Sequence, residues 1–216
     1  MEYSNTIPFI SAIHPSSDWC EIEHKKTYVH EAGHAVVARL TGCEVAWVSV
    51  DYKFMKSDPI AIAQKRSPNF PTCMTFASKR LNPILNKRKA LNKQEKEIVI
   101  GYCMQVLAGP FAEYHLDPES FNNLHSVNDF QQVYSVLQAL EPNKKRNKEL
   151  FLAAKRRLVK LLNEHWSSIV RVADALHQRS TLTGADIDHI MQISDIVENC
   201  HETSTALDVT DYSEAA

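Results

Sequence analysis

The stretch Tyr28-Val-His-Glu-Ala-Gly-His-Ala-Val-Val37 decides how this chain is read. His30 and His34 stand four residues apart, and on a helix such residues project from one face. They are then close enough to chelate a single metal ion. Neutral imidazoles suit zinc. Glu31 lies about 100° round the helix axis from His30. It can flank the metal and accept a proton from a water that the metal activates. A catalytic zinc takes three protein ligands and keeps a fourth position for water, whose pKa it lowers to about 7. With 10 His and 15 Glu in 216 residues, chance supplies roughly 0.03 such patterns, so coincidence is a poor account. Ala32, Ala35, Val36 and Val37 surround the motif, and histidines in apolar surroundings need partners.

Working outward, Ile22, Val29, Val36, Val37 and Leu40 predict a helix from about Trp19 to Leu40, stopped by Gly42. Glu44 to Tyr52 is β-branched and partly alternating, which predicts a strand, with Pro59 to Gln64 as a shorter partner. Residues 65–93 hold Lys65, Arg66, Lys79, Arg80, Lys87, Arg88, Lys89 and Lys93 and no acidic residue. They read as a long basic insertion or lid with short helical pieces. Glu95 to about Tyr114 predicts a helix that Gly109-Pro110 should kink or restart. Ser126 to Leu140 predicts another, with Ser126 as N-cap. Asn147 to about Arg179 carries apolar residues at three-and-four spacing and predicts one long helix. Thr183 with Asp186 caps a last one. The expected class is mainly α, with a small β-hairpin or sheet after the histidine helix.

Residues 1–18 are polar and read as an irregular lead-in, 19–199 as one domain, and 200–216 as an acidic, disordered tail. Composition agrees with a globular chain: 44% hydrophobic, 23% charged, net charge −2. That balance speaks against whole-molecule nucleic-acid binding. Five glycines leave little material for phosphate loops. No apolar run approaches the ~18 residues of a membrane span, and the first residues do not pattern as a signal peptide. Cys20, Cys43, Cys73, Cys103 and Cys200 contain no C-x-x-C pair. They read as free thiols in a reducing compartment, so a cytoplasmic location is expected.

The third metal ligand must come from elsewhere. Asp129 and Glu113 are the leading candidates, and His115 and His125 are further options. Asp129 also has a local role open to it, since a carboxylate in a first turn favours the helix end. Spacing alone does not choose among these four.

A family resemblance does. Tyr28 to Val37 looks like the zinc helix of the FtsH-type ATP-dependent metallopeptidases. Glu44 to Val50 resembles the strand after it. Leu107-Ala-Gly-Pro-Phe-Ala-Glu-Tyr114 resembles the family's Leu-Gly-Gly-Arg-Ala-Ala-Glu-Glu segment, and Asn128-Asp-Phe-Gln-Gln132 its Ser-Asn-Asp-Leu segment. Leu161 to Ile187, ending in Thr181-Leu-Thr-Gly-Ala-Asp-Ile187, resembles its closing helices. The pieces come in the family's order over about residues 24–193. The resemblance implies a helical zincin-like peptidase fold and a zinc site of His30, His34 and Asp129. It also implies Glu31 as general base and a supporting role for Glu113. Substrate peptides would lie along the edge of the strand around Val45 to Val50 by main-chain pairing. Pro110-Phe111 and Val127 depart from the family's residues, and the 65–93 segment is longer and more basic. No G-x-x-x-x-G-K-[ST] motor sequence is present.

The expected function is therefore a stand-alone zinc metallopeptidase acting on peptides or unfolded protein segments, with a separate ATPase or adaptor as a possible partner. The alternative is a non-catalytic, metal-containing module that binds a protein or nucleic acid, with the basic 65–93 segment contacting an acidic partner.

Overall fold

A computed structural model describes residues 22–59, 72–75, 78–86, 90–119, 121 and 126–192. The elements are α1 (Ile22–Leu40), β1 (Val45–Ser49), α2 (Tyr52–Ser57), β2 (Thr72–Thr75), α3 (Ser78–Leu85) and α4 (Lys93–Leu116). They continue with α5 (Val127–Leu140), α6 (Lys144–Glu164), α7 (Trp166–Arg179) and β3 (Thr181–Thr183). A closing helical run covers 184–192. The chain is mainly helical around one small sheet.

α1 is the centre of the molecule. Val29, Ala32, Ala35, Val36, Val37 and Ala38 are all fully buried, because α1 packs against both α4 and α7. It ends where Gly42 adopts φ 74°. The Cys43 N–H then reaches back to the Ala38 carbonyl and the Gly42 N–H to that of Arg39, as in a Schellman stop. α4 opens with a full capping box, Asn92 and Glu95 serving each other's main-chain N–H. It runs the length of α1, with Leu107, Ala108 and Ala112 buried against it. Thr183 and Asp186 form the expected cap of the closing helix, each accepting the other's main-chain N–H.

Four local expectations are corrected. Gly109-Pro110 does not interrupt α4, which stays helical through both residues to Leu116. The close seat against α1 outweighs the loss of the one hydrogen bond that Pro110 cannot donate. The long helix expected from Asn147 to Arg179 begins earlier, at Lys144 behind an Asn143 cap, and breaks at His165. The break lets α6 lay Leu158 and Leu162 toward α4 while α7 turns Ile169 and Leu176 toward α1. Asp51 and Tyr52 do not extend the strand, for Asp51 caps α2 by accepting from Lys53 and Phe54 N–H. Within the basic segment, Thr72–Thr75 is a strand and Ser78–Leu85 a helix, with Met74, Leu81 and Ile84 buried. The proposed partner strand at 59–64 lies, past Pro59, outside the described residues, as do the lead-in and the tail.

The sheet is antiparallel in the order β2-β1-β3. Trp47 stands opposite Met74 on one side and Thr183 on the other. This corrects the expected substrate edge: β1 is the central strand, and both its ladders are taken by the chain itself. β3 is held by Ser49, whose hydroxyl lies 2.7 Å from that of Thr181. One sheet face joins the main core through Val48 and Leu182, while Trp47, Met55 and Met74 form a small cluster with Phe54 of α2.

Candidate metal centre

α1 and α4 cross closely because small residues meet there. A Cβ on Gly33 would come within 2.8 Å of the Ala108 carbonyl and 2.9 Å of the Ala112 Cβ. A Cβ on Gly109 would lie 2.5 Å from the Nε2 atoms of both His30 and His34. The α4 backbone is thus seated directly on the two imidazoles.

That seat supplies each ring with a partner for Nδ1. His30 Nδ1 lies 2.5 Å from Glu113 Oε1, and His34 Nδ1 lies 2.7 Å from the Gln105 main-chain carbonyl. Both partners are acceptors, so both Nδ1 atoms donate and both Nε2 atoms are the ring nitrogens turned to the shared space. The two Nε2 atoms face each other at 2.9 Å. Asp129 Oδ2, from the first turn of α5, stands 3.3 Å from the first and 3.9 Å from the second. Three such acceptors repel unless a proton or a metal cation sits among them. Zinc bonds of about 2.0–2.1 Å in a tetrahedral arrangement set donor atoms roughly 3.3 Å apart, and the three separations straddle that value. The donor set therefore fits the ion.

The electrostatics agree. Burial opposes a charged imidazole at His30, yet the carboxylates of Asp129 and Glu113 bonded to it push it up to about 10. His34 is lowered by burial and by the charge on His30. The cluster requires positive charge, and without an ion a proton on His30 provides it.

Glu31 is 5% exposed. Its carboxylate accepts the Cys73 main-chain N–H of β2, while Oε2 is buried with no partner among the described residues. Burial is the main reason its carboxyl is pushed up to about 7, against the pull of the nearby His30. A carboxylate with a free oxygen and basicity near neutrality is equipped to take a proton.

Asp129 is thus the carboxylate beside both Nε2 atoms. Glu113, also buried, serves the far nitrogen of His30. His115 lies elsewhere, its ring 4.2 Å from that of Trp166, and burial lowers its pKa. His125 is outside the described residues. Ser126 occupies the N-cap position of α5, but with φ −101° and ψ 5° its side chain makes no cap bond. The hydroxyl is buried without a partner among the described residues. Sequence reasoning missed Gly33, Gly109, Gln105 and Cys73. The two glycines left a signal, since glycine inside a helix is unfavourable without a close approach to justify it. The other two act through main-chain atoms and left none. No model of a known protein family matches the chain, and a comparison with curated proteins gives no match.

Proposed function

We propose that this chain is a zinc-dependent metallopeptidase that hydrolyses peptides or unfolded protein segments. The observation that carries the reading is the pair of facing Nε2 atoms completed by Asp129, with a buried Glu31 carboxylate beside them that has one oxygen free. His30, His34 and Asp129 would hold the ion, which when bound supplies an acidified water and a polarised carbonyl. Glu31 would accept a proton on its carboxylate and return it to the leaving amine. Glu113 and Gln105 keep both imidazoles in the tautomer that presents Nε2. The likeness of the ordered segments to FtsH-type peptidases supports the same assignment.

The substrate's main chain belongs on β2 and not on β1. Cys73 gives its N–H to Glu31, so the side of β2 away from β1 stands over the site. An extended peptide added there would be presented beside the general base. Folded proteins lack free extended segments, which favours peptides, unfolded segments or clients delivered by a separate ATPase or adaptor.

The test is zinc analysis of the purified protein with a casein or peptide-library cleavage assay on wild type and Glu31→Gln. One zinc per chain and cleavage that requires Glu31 support the reading. Bound zinc with no hydrolysis in the wild type supports a binding module instead.

A further inference from the structure

The α1–α4 crossing is close. Gly33 meets Ala108 and Ala112, and Gly109 meets His30 and His34, so the two backbones lie close enough for main-chain atoms of α4 to serve α1. His34 depends on a main-chain carbonyl, that of Gln105. A side-chain partner such as Glu113 follows its histidine by changing rotamer, whereas a carbonyl within a helix does not. A slip of α4 by one residue moves that carbonyl about 1.5 Å, enough to break the bond.

The side chain of the same residue provides an interlock. Gln105 Nε2 donates to Thr41 Oγ1 at 2.8 Å, seven residues beyond His34 on the same helical track. The Thr41 hydroxyl spends its own hydrogen on the Val37 and Ala38 carbonyls, at 2.8 and 3.1 Å. Its oxygen is therefore an acceptor toward Gln105, which fixes the orientation of the amide. The other end of that amide, Oε1, is buried with no partner among the described residues. A leucine or methionine would fill the position without an unsatisfied acceptor. Gln105 and Thr41 also border a cavity of about 360 Å³. The partners of the amide are the Thr41 hydroxyl, at hydrogen-bond distance, and the neighbouring Cys43 thiol.

We propose that Gln105 is a positioning residue for His34: its side chain clasps Thr41, fixes the axial register of α4 on α1, and so holds its own carbonyl against His34 Nδ1. The inference rests on the metal-site reading for its purpose. Its geometry is independent of that reading.

The experiment measures zinc affinity by chelator competition, and His34 ring ¹⁵N shifts in the metal-free protein, for wild type, Gln105→Leu, Thr41→Val and the double variant. Ile187→Val, a conservative change of a buried residue that is not part of the clasp, is the control for lost stability. Each single variant is expected to weaken zinc binding 10–100-fold, and the double variant no more than the weaker-binding single. In both singles the His34 nitrogens move toward a mixed tautomer, while Ile187→Val leaves them in place. Affinities within twofold of wild type with unchanged His34 shifts overturn the proposal, as do losses that add in the double variant. If Gln105→Leu fails to fold, Thr41→Val, which keeps the shape, decides alone. A wild type that binds no zinc overturns the proposed function, and the ¹⁵N shifts still decide the clasp.

Discussion

His30 and His34 point their Nε2 atoms at each other across 2.9 Å, and each holds its Nδ1 against a different acceptor on α4. Without metal a proton on His30 holds this arrangement together, and a bound ion would take that proton's place. Zinc should therefore raise the unfolding temperature. At free zinc a thousandfold above Kd the gain is about 4 kcal/mol, or roughly 10 °C for a chain of this size. Differential scanning fluorimetry on wild type, His34→Ala and Asp129→Ala checks this, and the two variants should show no shift.

Gly109→Ala should remove the metal site. Its Cβ would lie 2.5 Å from both Nε2 atoms, so the imidazoles or α4 must move. The expected destabilisation is about 1–3 kcal/mol, with zinc below one per chain by metal analysis. Gly101→Ala is the contrasting change, because its Cβ would sit 3.9 Å from the Thr41 Cβ. It should keep full zinc and gain up to about 1 kcal/mol from helix propensity.

Glu113→Gln should keep the fold and weaken zinc binding by about 10–100-fold. The amide can still accept from His30 Nδ1, but without the charge that makes the imidazole a stronger ligand. Chelator competition measures the loss, and an affinity equal to wild type would assign Glu113 a packing role only.

Glu31 ties stability to pH in the metal-free protein. Its carboxyl is raised from 4.5 to about 7 in the folded state, so folding favours the protonated form. The contribution is fully present below pH ~4.5 and is lost as pH rises through about 7. Its size is about 3 kcal/mol. Urea midpoints across pH 4–8 should fall for wild type, and Glu31→Gln should remove that part of the slope. A wild-type profile no steeper than that of the variant would contradict a raised Glu31.

What the sequence discloses and what it hides divide along physical lines. Local chemistry is legible. The histidine helix, its Gly42 stop and the Thr183–Asp186 cap each depend on residues within one turn of each other. The breaks and continuations are less so. Pro110 argues for a kink, and only the fit of Gly109 against His30 and His34 keeps α4 running through it. The apolar stripe from Leu158 to Leu176 reads as one helix, since periodicity carries no sign that its two halves face different partners. Long-range pairing is hidden altogether. Thr181–Thr183 looks like the lead-in to a cap, and nothing near it announces that Trp47, Val48 and Ser49 lie opposite. At the site, the side chains His30, Glu31, His34 and Asp129 can be nominated from residue type, whereas the carbonyl of Gln105 and the N–H of Cys73 belong to every residue alike.

The sheet order also fixes when the molecule can be finished. His30, His34, Glu113 and Asp129 all precede residue 130, so the histidine cluster and its carboxylates leave the ribosome early. The strand that closes β1 on its second side is made more than 130 residues after β1 itself. Until Thr181 to Thr183 arrive, a nascent chain carries a β-branched strand with an open ladder. This late stretch of the fold therefore acts as a guard against pairing between unfinished chains, and a stop codon shortly before Thr181 should yield a product that associates through β1.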